Sequence, residues 1–205
     1  MTTYSQLRQD LAVVEFYKSK RNGYYLEIGA SNGIRLSNTY LLEKDYDWKG
    51  ICVEPLPSCF EQLQKNRPNS ICVNKAVYNT SGQTVKFSIS HRCDLLSGIS
   101  EHLTCHKERV DQNKTDIEVK TITFNDLLVE NNAPEFIDYL SLDTEGTELM
   151  ILQSVDHTKF TFGLIDVEHN YQPIRKEIRT FLESKGYVYK KANSFDDSYL
   201  HKSLV

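Results

Sequence analysis

Two rhythms of apolar residues run through the chain. The first is a short, nearly continuous apolar run that ends in an acidic or glycine-bearing turn. It occurs at 24–28 before Gly29, at 48–53 before Glu54 and Pro55, at 70–77, at 136–142 before Asp143, and at 162–167 before Glu168. Runs that are apolar on both faces read as buried parallel strands. The second rhythm is helical: Leu7, Leu11, Val14 and Tyr17 over 3–20, with Ser5 as cap; Ile34, Leu36, Tyr40, Leu41 and Leu42 up to Lys44; and Phe60 with Leu63 over 58–65. It returns in Leu149, Met150, Leu152 and Val155, and over 173–185. Strands that alternate with helices predict an α/β fold with helices on both faces of a mainly parallel sheet. Segments 82–89 and 116–122 alternate at period two instead and predict added strands, with Thr123 capping a short helix after the second. A closing strand around 187–189 and the tail to Leu200 complete a sheet of roughly seven strands. Residues 90–116 lose periodicity and predict a long lid loop anchored by Leu95-Leu96-Ser97-Gly98-Ile99.

Composition narrows the function. The 205 residues suffice for one buried α/β domain spanning 1–205, and their formal charge is −4. Charges are interspersed, so no basic footprint for nucleic acid exists. No apolar run reaches the length of about 20 residues that spans a bilayer, and the N-terminus lacks a signal pattern. A soluble cytoplasmic protein is the expectation. Five cysteines without a C-x-x-C pair argue against a disulfide framework. His91, Cys93, His102, Cys105 and His106 match no zinc-ligand spacing.

The run Leu26-Glu27-Ile28-Gly29-Ala30-Ser31-Asn32-Gly33 predicts strand, tight loop and helix, the arrangement on which nucleotide-type cofactors sit. It lacks the G-x-G-x-x-G spacing of a dinucleotide loop, and Glu27 is a poor neighbour for phosphate. A nicotinamide cofactor is therefore disfavoured. A carboxylate there suits a ligand with a sulfonium, an ammonium and ribose hydroxyls, which describes S-adenosylmethionine. Glu54, at the end of the second strand, is placed to accept both ribose hydroxyls.

These residues resemble the FkbM family of S-adenosylmethionine-dependent methyltransferases. The likeness runs from Ser5-Gln6 and Gln9-Asp10 through 23–33, 36–43 and 48–55 to Leu96-Ser97-Gly98-Ile99 and 138–148. It implies a Rossmann-like, seven-stranded class I methyltransferase sheet with a reversed final hairpin, and O-methylation of hydroxyls on sugars, glycans or related small molecules. Carried over by position, Glu27, Gly29, Ala30, Ser31, Asn32 and Gly33 hold the methionine part. Ser37 and Asn38 line the same pocket, Glu54 beside Pro55 takes the ribose, Lys75 and Ala76 take the adenine edge, and Asp143 adjoins the cofactor. The family also occurs as one domain of larger polypeptides, including glycan-assembling ones.

Methyl transfer to a hydroxyl needs alignment and a proton acceptor. His169, with an ordinary pKa of about 6.5, is the preferred base; Asp143 and Glu168 follow. Oxygen ligands Asp143, Glu168 and Asn170 also form a candidate site for Mg²⁺ or Mn²⁺. The alternative from another class is a non-catalytic cofactor- or glycan-binding domain on the same fold.

Overall fold

The computed structural model describes residues 2–91, 96–103 and 107–205. In chain order its strands are β1 (Tyr24–Ile28), β2 (Lys49–Val53), β3 (Ile71–Val73), β4 (Ala76–Tyr78), β5 (Thr84–Ser90), β6 (Gly98–Ile99), β7 (Lys114–Thr123), β8 (Phe136–Leu142), β9 (Thr161–Glu168), β10 (Tyr187–Asn193) and β11 (Asp196–His201). The helices are α1 (Gln9–Phe16), α2 (Tyr40–Tyr46), α3 (Pro57–Asn66), α4 (Lys107–Asp111), α5 (Phe124–Glu130), α6 (Glu148–Gln153) and α7 (Ile174–Ser184).

The main sheet is seven-stranded, in the order β3-β2-β1-β8-β9-β11-β10. The strands from β3 to β9 run parallel, and β11 enters antiparallel to both β9 and β10. This is the α/β class expected, with its reversed final hairpin. Side-chain alternation sends Leu26, Ile28, Ile51, Val53, Leu140, Leu142, Ile165 and Val167 to a core shared with α5, α6 and α7. The opposite face buries Tyr25, Cys52, Tyr139 and Leu164 against α1, α2 and α3. Across that second face the register aligns Glu27, Ser141, Asp166 and Ser198 in one polar row. The row crosses the sheet near the strands' carboxyl ends, where ligands bind in such folds. Among the described residues, no helix is long and apolar enough to cross a membrane.

Four expectations need correction. The helix predicted over 3–20 is confined to Gln9–Phe16, and Ser5 does not cap it. The Asp10 carboxylate instead accepts from Thr3 Oγ1, Tyr4 N and Ser5 Oγ, and so folds the preceding segment back on the helix start. The helix expected directly after Gly33 begins only at Tyr40, because Asn32 Oδ1 accepts from the Ile34 and Arg35 N–H groups and holds a turn. The strand expected over 70–77 divides into β3 and β4, which lie in different sheets; Asn74 Nδ2 donates to the carbonyls of Glu54 and Pro55 at the break. Finally, part of the predicted lid is regular. β6 joins the four-stranded sheet β4-β7-β5-β6, and α4 follows. Leu95, Cys93, Cys105 and His106 of that segment lie outside the described residues.

The second sheet packs Phe87, Ile99 and Val119 on Leu56, Cys59 and Ala76. It thereby closes one side of the cleft above the strand ends. Thr123 caps α5 as predicted, accepting from Asp126 N at 3.0 Å.

Candidate active site

The turn leaving β1 depends on two glycines. Gly29 has φ +91°, and a Cβ there would lie 1.9 Å from the Asp143 carbonyl oxygen. Gly33 has φ +82°, and its Cβ would meet Arg67 Cγ and Leu63 Cδ1, each at 2.7 Å. Only glycine permits both the left-handed backbone and the close approach. Between them, Ser31 is also left-handed (φ 46°) and donates its N–H to Glu54 Oε2 at 2.8 Å. The second oxygen of Glu54 accepts from Leu56 N at 2.8 Å, which fixes this carboxylate at the end of β2.

The turn opens on a cavity of about 390 Å³, within the range of small-molecule sites. Gly29, Ala30, Ser31, Ser37, Asn38, Glu54, Pro55, Lys75, Ala76, Asp143, Glu168 and Asn170 all line it. Leu96, Ser97 and Ile99 line it too, so the Leu-Ser-Gly-Ile patch forms a wall of the cavity.

Glu27, Asn32 and Gly33 do not line it. Glu27 is 3 % exposed and turned into the protein: it accepts from Ser37 Oγ, Asn38 N at 2.8 Å and Thr39 Oγ1 at 2.7 Å, and pairs with Arg67 at 3.3 Å. Its chemistry is to build the loop. Asn32 is spent on the turn described above, and its carbonyl accepts from Asn66 Nδ2.

The same cavity also collects carboxyls from strand ends. Asp143 follows β8, Glu145 stands two residues on with left-handed φ 61°, Glu168 ends β9, and Asp196 opens β11. Carboxylate oxygens of Asp143, Glu145 and Glu168 lie within 4.8 Å of one another. Asp143 is exposed on the open cavity, yet loss of surrounding water within the cleft raises its pKa to about 6, aided by the charges of Glu148 and Glu27, while a hydrogen bond with Glu168 opposes the rise. Burial, then the charges of Asp143 and Glu148, raise Glu145 to about 9. The Glu168 carboxyl is pushed far above the usual range, first by burial and then by its acidic neighbours. Asp196 rises to about 7 by burial, against the hydrogen bond it accepts from Gln9 Nε2 at 2.6 Å. Neutral and ionised carboxyls therefore coexist here near neutrality.

His169 is not brought to this cavity; it lines a smaller neighbouring one. Its Nδ1 accepts from Tyr171 N at 3.0 Å, which places the ring proton on Nε2, facing Asp197 Oδ1 at 3.5 Å. Asp197 is itself clasped by Arg175 through two 2.7 Å bonds. The geometry engages His169 in the turn after β9, in a cavity that shares Glu168 and Asn170 with the main one, whereas Asp143 and Glu168 line the main cavity itself. Sequence reasoning also missed Gln9, Arg67, Glu145 and Asp196 as parts of the site. Glu145 alone carried a signal, as the second acid after β8.

The family model of the methyltransferase FkbM domain matches residues 27–189. The chain belongs to the FkbM methyltransferases. A relative, the methyltransferase sdnD of Sordaria araneosa, is 25% identical over 199 residues, covering 81% of this chain and 74% of its own. Among solved structures, the precorrin-6y C5,15-methyltransferase of Geobacter metallireducens superposes with a TM-score of 0.53 at 11% identity, covering 97% of this chain and 93% of its own. The METTL16 methyltransferase domain gives 0.54 at 11% identity, covering 97% and 68%. At such identities these structures establish the fold. The family makes this FkbM protein an S-adenosylmethionine-dependent methyltransferase.

The described residues fit that donor. Glu54, expected at the ribose, and Lys75 and Ala76, expected at the adenine edge, line one and the same cavity. Asn38 Oδ1 is buried with no hydrogen-bond partner among the described residues, an acceptor suited to an ammonium.

Proposed function

We propose that this FkbM methyltransferase methylates a hydroxyl oxygen of a sugar, a glycan or a related small molecule. The observation that carries the reading is Asp143: it opens on the cavity at the end of β8, with a pKa of about 6. Near neutrality it is ionised yet basic enough to take a proton. When bound, the donor supplies a methyl carbon and leaves as a neutral thioether.

Asp143 receives the acceptor's hydroxyl proton as the oxygen–carbon bond forms. Glu168, hydrogen-bonded to Asp143, orients that carboxylate. Glu54 and Asn38 hold the ribose and ammonium ends of the donor. The same acidic surroundings support oxygen over nitrogen as the acceptor atom, since carboxylates keep an amine protonated and without its lone pair. A sugar supplies several neutral hydroxyls that carboxylates and Gln9 can recognise.

The test is a mass-spectrometric screen of purified protein with S-adenosylmethionine and hydroxyl-bearing acceptors. An O-methylated product is expected; methylation only of nitrogen or carbon acceptors would overturn the reading.

One observation favours a second reading. Asp143, Glu145 and Glu168 converge closely enough to ligate Mg²⁺ or Mn²⁺, with Glu145 in the place expected for Asn170. Such an ion would acidify the acceptor hydroxyl in place of the Asp143 base. Turnover abolished by chelator and restored by either ion would select this reading; turnover indifferent to chelator would remove it.

A further inference from the structure

Arg67 is wholly buried and takes no part in the mechanism above. It leaves the end of α3, and the hydrogen-bond acceptors of its guanidinium among the described residues belong to the stretch from β1 to α2. Nε donates to Glu43 Oε2 at 2.6 Å, and Nη2 donates to Tyr25 Oη at 2.6 Å and Thr39 Oγ1 at 2.8 Å. Nη1 faces the Gly33 carbonyl at 3.1 Å, Ser37 Oγ at 3.2 Å and Glu27 Oε2 at 3.3 Å. A planar guanidinium can serve this many acceptors on three sides; an ammonium of similar length cannot.

Among the described residues the network reaches the cavity wall at Ser37, which Arg67 and Glu27 contact directly, and at Asn38. Glu27 Oε1 accepts the backbone N–H of Asn38 at 2.8 Å, and Asn38 Nδ2 donates to Ser141 Oγ at 2.9 Å. Main chain and amide are fixed, and the side-chain oxygen of Asn38 is left as the unpartnered buried atom noted above. A buried acceptor held in this way costs stability until a ligand donor meets it.

We infer that Arg67 is a positioning residue for the amino-acid end of the methyl donor, acting through Glu27 to hold Asn38 so that Oδ1 accepts from the donor's ammonium. This rests on the donor reading above, and it goes further in separating the two ends of the donor. The ribose end is held by Glu54, which has its own anchors at Ser31 and Leu56. Damage to the Arg67 network should therefore fall chiefly on the amino-acid end, since its contact with the turn that carries Ser31 is the Gly33 carbonyl alone.

The experiment measures equilibrium affinity for two ligands. S-adenosylhomocysteine has both ends; 5′-methylthioadenosine keeps the adenosine and thioether but has no amino acid. Arg67→Lys is expected to weaken S-adenosylhomocysteine by about 10- to 100-fold, the worth of a hydrogen bond to a charged group, and methylthioadenosine by less than about 3-fold. Asn38→Ala should show the same split, and adding it to Arg67→Lys should cost less than about 3-fold more, because the two changes break one path. Thr39→Val removes one Arg67 acceptor without touching the cavity. It should show a smaller split, about 3- to 10-fold, and it carries the test if Arg67→Lys loses its cooperative thermal transition.

Equal weakening of both ligands, no weakening of either, or fully additive single changes would each overturn the inference. So would a wild-type protein that binds the two ligands equally well. A wild type that binds neither would overturn the donor reading itself, and this inference with it.

Discussion

Two groups of acids, one behind the β1 turn and one on the cavity wall, treat buried charge in opposite ways. Behind the donor turn, Glu27 and Glu43 share one buried guanidinium and a ring of hydroxyl and backbone donors, so each charge is met by a cation and by hydrogen-bond donors. Around the acceptor, Asp143, Glu145 and Glu168 face one another, and loss of water together with the neighbouring acids raises their pKa values. The first arrangement suits a rigid cradle for a ligand of constant shape. The second suits a place where protons change hands, since carboxyls poised between charged and neutral forms respond to what enters.

The largest effect expected from this contrast is catalytic. Asp143→Asn removes the base while keeping the shape, and turnover should fall by about 10²- to 10⁴-fold with donor affinity little changed. The same group fixes the pH profile. Below about pH 6 Asp143 is protonated and cannot accept the hydroxyl proton. The rate should thus rise with pH up to that value and then level off. A flat profile through that range in the wild type would detach the base from Asp143.

At the donor turn the effect should be on binding. Glu54→Gln keeps the side-chain length but loses the charge that holds Ser31 N and that we propose holds the ribose hydroxyls, and calorimetry should show S-adenosylmethionine weakened by about 10- to 100-fold. Loss of turnover without loss of affinity would assign Glu54 to the acceptor instead and dissolve the division.

The two groups also differed in how far the sequence revealed them. Strand order and donor loop were readable because each rests on local, periodic signals. Apolar runs end in Gly29, Glu54, Asp143 and Glu168 at spacings that a strand–helix repeat explains, and the FkbM likeness supplied the reversed hairpin. What stayed hidden depends on where side chains turn. Glu27 sits in the motif as if it faced the ligand, yet strand alternation and Arg67 draw it inward. A lone arginine before Pro68 has no pattern of its own, since its acceptors are spread from Tyr25 to Glu43. Gln9 and Asp196 meet across nearly the whole chain, at a distance that no window of sequence can register. The helix expected after Gly33 failed for a similar reason: apolar spacing continued, but Asn32 and Glu27 captured the backbone N–H groups that a helix would have used.

A stability measurement sharpens the contrast further. The Glu145 carboxyl titrates at an ordinary 4.5 when unfolded and at about 9 in the native protein. Between those values the native state keeps a proton that the unfolded chain has lost, so this group makes stability fall as pH rises through the window. Glu145→Gln imitates the protonated form and removes this group's share of the slope. It should stabilise the protein by about 1–2 kcal/mol near pH 8 and by little near pH 5, read as a rise in Tm. If Mg²⁺ occupies the cluster, the sign reverses: the variant loses a ligand, and added Mg²⁺ stabilises only the wild type.

The smallest effect is expected at the histidine that the sequence favoured. His169 is 3 % exposed, and its imidazole is held neutral because burial lowers its pKa, with Asp197 opposing and Arg175 reinforcing the shift. Nδ1 already accepts from Tyr171 N, in a turn where Asn170 and Tyr171 both adopt left-handed backbone, with φ 45° and 56°. The imidazole holds that strained turn, and through it the place of Asn170 on the cavity wall. His169→Gln should therefore cost about 1 kcal/mol of stability through a poorer acceptor for Tyr171 N, and change turnover by less than about 5-fold. The decisive comparison is the ratio of the two losses in one assay. If His169→Gln matched Asp143→Asn in turnover at equal folded fraction, proton removal would run through the neighbouring cavity, and the acidic cluster would serve to orient the acceptor alone.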